Sequence, residues 1–192
     1  MNQIKRILFL ILAVATAWMI FNFDYFRKNV EFELQGEKPT RQISVRENME
    51  PDMLIVPSLN ISVPVKYAPE ANEDKFQTLL IDGVVHYPGT AKIGEVGNVY
   101  IFGHSSDNVW SKGHYKTVFA LLPKMQVGQK IYISNSQGEK FVYQVIETRV
   151  VAKDDLSVLS QETEGRRLLT LQTSYPVGTS LKRYVVVAKL AE

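Results

Sequence analysis

Thr170-Leu171-Gln172-Thr173-Ser174-Tyr175-Pro176, followed by Lys182-Arg183-Tyr184, sets a hydroxyl one short turn away from a guanidinium. The β-formers over 167–173 predict a strand leading into Ser174. Pro176-Val177-Gly178-Thr179-Ser180 reads as a turn, and a second run over 184–188 returns antiparallel, which brings Arg183 toward Ser174. Upstream, Gly97-Asn98-Val99-Tyr100-Ile101-Phe102-Gly103-His104 has no polar alternation and reads as a buried strand, with Gly103 letting the backbone turn and present His104 at its exit. A potential nucleophile, a base and a cation therefore lie at strand ends.

The rest of the chain after Met53 has the same texture, with short β-branched and aromatic runs separated by Gly, Pro, Asn and Ser. Residues 127–134 and 139–151 flank Asn135-Ser136-Gln137-Gly138, a hairpin-turn composition. Short helices are expected over 72–80, over 117–122 up to Pro123, and as one turn over 154–159. The predicted fold class is mostly β, closing into a barrel.

Beyond these residues the chain resembles the sortase family, membrane-anchored cysteine transpeptidases with Thr-Leu-x-Thr-Cys at the nucleophile and an arginine shortly after it. Ser174 occupies the cysteine position. Met53-Leu54-Ile55-Val56-Pro57-Ser58-Leu59-Asn60-Ile61-Ser62-Val63-Pro64-Val65 looks like the paired first strands of the sortase barrel. Gly83-Val84-Val85-His86-Tyr87-Pro88-Gly89-Thr90-Ala91, with Gly94-Glu95-Val96-Gly97-Asn98, looks like the approach to the histidine strand. The resemblance covers about residues 50–192 and implies an eight-stranded barrel. Ser180-Leu181-Lys182 and the His-Tyr-Pro-Gly-Thr stretch lean toward classes D and E.

By position, the resemblance implies that Ser174 stands at the nucleophile, His104 exchanges protons with the leaving and incoming amines, and Arg183 steadies substrate and oxyanion. Thr173, Tyr175 and Ser105 are the expected substrate contacts. The implied reaction cleaves a Leu-Pro-x-Thr-Gly-like sorting signal and passes the acyl group to an amine on a lipid II-type cell-wall precursor or a pilin lysine. An alcohol lacks the ready ionisation of a thiol, and the one acidic residue near His104 in sequence is Asp107. The Ser174 form is therefore expected to turn over poorly or not at all. Two other readings stay open: a pseudo-sortase that captures sorting signals without cutting them, and a true serine acyl-transferase or hydrolase.

Composition bounds the alternatives. The chain has 192 residues, 45% of them hydrophobic, which allows one core of ordinary size plus a short extra segment. It has no cysteine, which excludes a disulfide framework, a thiolate metal site and a thiol nucleophile. Loss of a single catalytic cysteine at position 174 accounts for that. The 22 basic and 20 acidic residues are interspersed, giving a net charge of +2 and no nucleic-acid footprint.

Three histidines, His86, His104 and His114, show no metal-ligand spacing, and Glu95, Asp154 and Asp155 are too few for the calcium-binding loops of some sortases; no metal or cofactor is expected. Trp110, Tyr115 and Phe119 follow His104 as groove or core aromatics.

Residues 7–23 form an apolar run of about 25 Å as a helix, enough to span a bilayer. Lys5 and Arg6 precede it, which predicts a cytoplasmic tail at 1–6, a single-pass signal anchor at 7–23, a linker or membrane-proximal helix at 24–50, and an extracytoplasmic domain at 51–192.

Overall fold

The computed structural model describes residues 3–21, 23–35, 49–106 and 113–191. Eight strands close into one barrel: β1 (Met53–Val56), β2 (Ile61–Tyr67), β3 (Val84–His86), β4 (Gly97–Phe102), β5 (Lys130–Ser134), β6 (Lys140–Ala152), β7 (Arg167–Tyr175) and β8 (Lys182–Leu190). Around the barrel the order is β1-β2-β3-β4-β7-β8-β6-β5. The β2–β3 and β4–β7 pairs are parallel and the other neighbours antiparallel.

Alternation along the strands builds the core. Val63 and Val65 on β2, Val99 and Ile101 on β4, Leu169 and Leu171 on β7, and Val186 and Ala188 on β8 fill the interior together with Ile131, Ile133 and Tyr143. The expected absence of polar alternation in β4 has a structural cause. Its outer face is also covered, with Tyr100 packed among Val158, Val185 and Val187 under the segment that joins β6 to β7. Five residues, 135–139, close the β5–β6 hairpin, where Asn135 Oδ1 accepts from the Gln137 and Glu139 N–H groups at 3.1 and 2.9 Å.

Three helical expectations fare differently. Helix α1 (Gln3–Phe21) and helix α2 (Phe23–Gln35) come first, and helix α3 (Glu73–Leu80) links β2 to β3, capped by Asn72 Oδ1 on the Lys75 N–H at 3.1 Å. A 3-10 turn at Leu156–Leu159 occupies the expected position of the turn at 154–159. The helix expected over 117–122 is absent. There the Phe119 N–H donates to the His104 carbonyl at 2.9 Å, so 116–121 run as successive turns, and a 3-10 turn at Leu122–Lys124 includes Pro123.

Among the described residues one helix is long and apolar enough to cross a membrane, Gln3–Ile20 within α1 near the N-terminus, with its apolar side chains exposed. Part of the expected linker is helix α2, which is not free of the barrel. Tyr25 and Phe32 pack against the core, Lys28 Nζ donates to the Thr117 carbonyl at 2.9 Å, and Lys124 bonds Glu33 while lying 5.8 Å from the Phe32 ring centroid. Burial lowers the Lys28 ammonium from its usual range, opposed by the charge of Asp24.

Candidate active site

The site is assembled where β4 gives out beside β7. The parallel register pairs Ile101 with Leu171 and Phe102 with Gln172. Beyond β4 the contact continues: the Gly103 N–H donates to the Gln172 carbonyl at 3.1 Å, and Thr173 Oγ1 donates to the Gly103 carbonyl at 2.8 Å. Extending that register by two residues sets His104 level with Ser174. A Cβ on Gly103 would lie 2.8 Å from the Phe119 ring and 2.9 Å from Val84, so the residue before His104 has room only for glycine.

β8 supplies the cation. Ser174 and Arg183 are direct cross-strand partners in the antiparallel β7–β8 pair, which puts their side chains on one face. The Arg183 guanidinium is held by its own turn, Nη1 donating to the carbonyls of Ser180 at 3.1 Å and Lys182 at 3.0 Å. Ser106 Oγ accepts from the Gly178 N–H at 3.0 Å, tying the β7–β8 turn to the residues after His104. His104, Ser174 and Arg183 all line one groove of about 310 Å³.

The predicted substrate contacts divide. Ser105 is buried and lines the groove. Thr173 and Tyr175 do not line it, because successive residues of a strand face opposite sides and Ser174 faces the groove. Thr173 is fully buried with its hydroxyl spent on Gly103, and Tyr175 packs against Tyr184, the rings tilted and their centroids 5.8 Å apart. Their geometry serves to hold the two strands together.

The same alternation exposes a residue that the sequence reading passed over. Gln172 shares the face of Ser174 and lines the groove, where its Oε1 accepts from the Tyr100 hydroxyl at 2.6 Å. Burial raises the Tyr100 phenol above its ordinary range, opposed by the charge of Arg183, so the hydroxyl stays a donor at neutral pH. Period-two counting back from Ser174 was the available signal. Phe76, Tyr87, Phe102, Val158 and Leu159 make the apolar walls.

Asp107 and Trp110 lie outside the described residues. Two carboxylates that sequence distance hid, Glu73 and Asp155, also line the groove. Each is engaged locally: Glu73 accepts from Gln77 Nε2 at 2.7 Å, and Asp155 accepts from the Ser157 N–H at 3.0 Å. The Ser157 bonds hold the Asp155 carboxyl below its usual range. Phe119 belongs to the core and Tyr115 packs against it.

His86 is buried beside the Ala91 carbonyl, 2.9 Å from its Nε2, whereas His114 is exposed. Among the described residues no three His, Cys, Asp or Glu side chains converge as a metal site.

Comparison with known proteins agrees with this architecture. A family model described as Sortase domain matches residues 54–191, and the chain belongs to the sortase family. It is 29% identical over 140 residues to sortase D of Bacillus subtilis (strain 168), a match covering 71% of this chain and 62% of that protein's length. Among solved structures, a Clostridium perfringens sortase D5 transpeptidase superimposes with a TM-score of 0.59 at 26% identity, covering 73% of this chain and 78% of the other. Streptococcus agalactiae sortase C1 gives a TM-score of 0.62 at 25% identity, covering 81% and 76%.

Proposed function

We propose that the chain is a sorting-signal transpeptidase whose catalytic set is His104, Ser174 and Arg183. The observation that carries this is the cross-strand pairing of Ser174 with Arg183 in a groove that His104 also lines. In the reaction the nucleophile at position 174 attacks the scissile carbonyl of a Leu-Pro-x-Thr-Gly-like peptide, and Arg183 stabilises the oxyanion. His104 gives a proton to the departing amine as the C–N bond breaks. An incoming amine on a cell-wall precursor or pilin lysine then loses its proton to His104, attacks the acyl group and frees residue 174. Similarity to proteins named sortase D supports the class D side of the D-or-E leaning.

As an alcohol, Ser174 needs a base stronger than this set supplies, so the chain binds the sorting signal and turns it over poorly. Helix α1 is the membrane anchor in this reading, with the N-terminal tail cytoplasmic and the barrel outside. The test is cleavage of a sorting-peptide panel with an amine acceptor, read by mass spectrometry, using the detergent-solubilised full chain as Ser174 and as Ser174→Cys. Activity confined to the cysteine form supports the transpeptidase. A second reading, capture without cleavage, draws on the total lack of cysteine and predicts peptide binding with silence in both forms.

A further inference from the structure

One wall of the groove is the segment 153–166 between β6 and β7, which brings Asp155, Leu156, Val158 and Leu159 to the site. Besides the apolar seat of Val158 and Leu159 against Tyr100, Val185 and Val187, two amide side chains fasten it to the barrel. β4 meets β3 only at Ile101 and Phe102, so the N–H and C=O of Asn98 face an edge where β3 has already ended. Gln161 fills that edge. Its Oε1 accepts from the Asn98 N–H at 3.1 Å and its Nε2 donates to the Asn98 carbonyl at 3.1 Å, so the carboxamide stands in for the peptide group of a missing strand.

Both ends of the amide are used twice. Oε1 also accepts from the Ala91 N–H at 3.1 Å, and Nε2 also donates to the Leu159 carbonyl at 2.9 Å. Asn98 answers in kind: Nδ2 donates to the Val158 carbonyl at 2.9 Å, and Oδ1 accepts from Thr170 Oγ1 at 2.8 Å, on the nucleophile strand. A Cβ on Gly97 would stand 2.9 Å from Gln161 Oε1, so glycine there leaves space for the clamp.

We propose that Gln161, seated on Asn98, is a positioning residue for the sorting signal: it fastens the groove wall in place before the peptide arrives. A wall ordered in advance spares binding the entropy of ordering it. The substrate named here rests on the transpeptidase reading given above.

The test uses the full chain in the Ser174→Cys background, with Gln161→Ala and Gln161→Glu. Gln161→Ala raises KM for the sorting peptide about tenfold or more while kcat stays within about twofold, because the loss falls on binding. Gln161→Glu keeps both acceptor contacts but sets a carboxylate oxygen against the Asn98 and Leu159 carbonyls, so it loosens the wall at least as much as alanine. Hydrogen exchange of the amides at 156–160 becomes at least about tenfold faster in Gln161→Ala, with β7 amides unchanged.

A merely structural role would instead speed exchange in β7 as well and lower the active fraction, with KM unmoved; that result, or unchanged protection at 156–160, overturns the proposal. If the parent neither binds nor cleaves any peptide, the transpeptidase reading fails. The exchange arm then decides alone whether Gln161 holds the wall.

Discussion

Ser174→Cys has an expected gain that follows from the β7–β8 register. Cross-strand partners place their Cβ atoms about 5 Å apart, which sets an introduced sulfur roughly 6 Å from the Arg183 charge. At an effective dielectric of about 20 the attraction between a thiolate and that charge is about 3 kcal/mol. Arg183 is partly exposed and its Nη1 is shared with two carbonyls, which reduces the useful part to about 1.5 kcal/mol, or roughly one pK unit.

A thiol moved from about 8.5 to about 7.5 is roughly one-quarter thiolate at pH 7. An alcohol with an acidity near that of water, about 15.7, is ionised to roughly one part in 10⁹. General-base help from His104 recovers part of that gap, about 10²- to 10⁴-fold, so kcat/KM should rise at least about 10³-fold on Ser174→Cys. The assay is peptide cleavage with an amine acceptor, run beside Ser174→Ala as a blank. Equal turnover by the serine and cysteine forms would refute the reasoning, as would a cysteine form that binds the peptide panel and cleaves none of it.

Three further predictions concern the frame around the site. Thr173→Val strips the buried Gly103 carbonyl of its side-chain donor and should cost about 1–3 kcal/mol in denaturant unfolding, with lowered activity in the cysteine background. Burial holds the His86 imidazole below its ordinary value of 6.5, the Ala91 bond opposing. On acidification the unfolded chain takes up that proton first. Stability is therefore full above about pH 6.5 and declines as the pH falls toward the lower folded-state value, and His86→Gln should flatten this part of the curve in thermal melts from pH 7.5 to 5. Phe32→Ala removes an apolar contact between α2 and the barrel, which should cost about 1–2 kcal/mol and speed amide exchange in α2 without loosening β7; uniform exchange across both would count against docking of the helix.

Local pattern made much of the barrel legible. β-branched and aromatic runs announced β5 and β6, the family resemblance announced β1 and β2, Asn135-Ser136-Gln137-Gly138 announced the hairpin, and the helix expected over 72–80 is α3. The turn after Tyr175 foretold that Arg183 would come back beside Ser174, since a tight antiparallel return has few registers available. Residues 117–122 misled because helix propensity is a weak prior, and here the His104 carbonyl takes the Phe119 N–H. Thr173 and Tyr175 were expected at the substrate from their place beside Ser174, whereas strand alternation turns them away from the groove.

The chain by itself determined where several of the strands lie along the sequence, the apolar N-terminal helix, the identity of residue 174 and the family pattern around it, because these are written in local spacing and residue type. The level of His104 beside Ser174 needed the parallel β4–β7 ladder, whose partners are about 70 residues apart in sequence and carry no local signal of their register. The same holds for Gln172 under Tyr100, for Asp155 and Glu73 at the groove, and for Gln161 on Asn98. Each depends on which backbone edge is left open once the barrel closes, and only the closed barrel decides that.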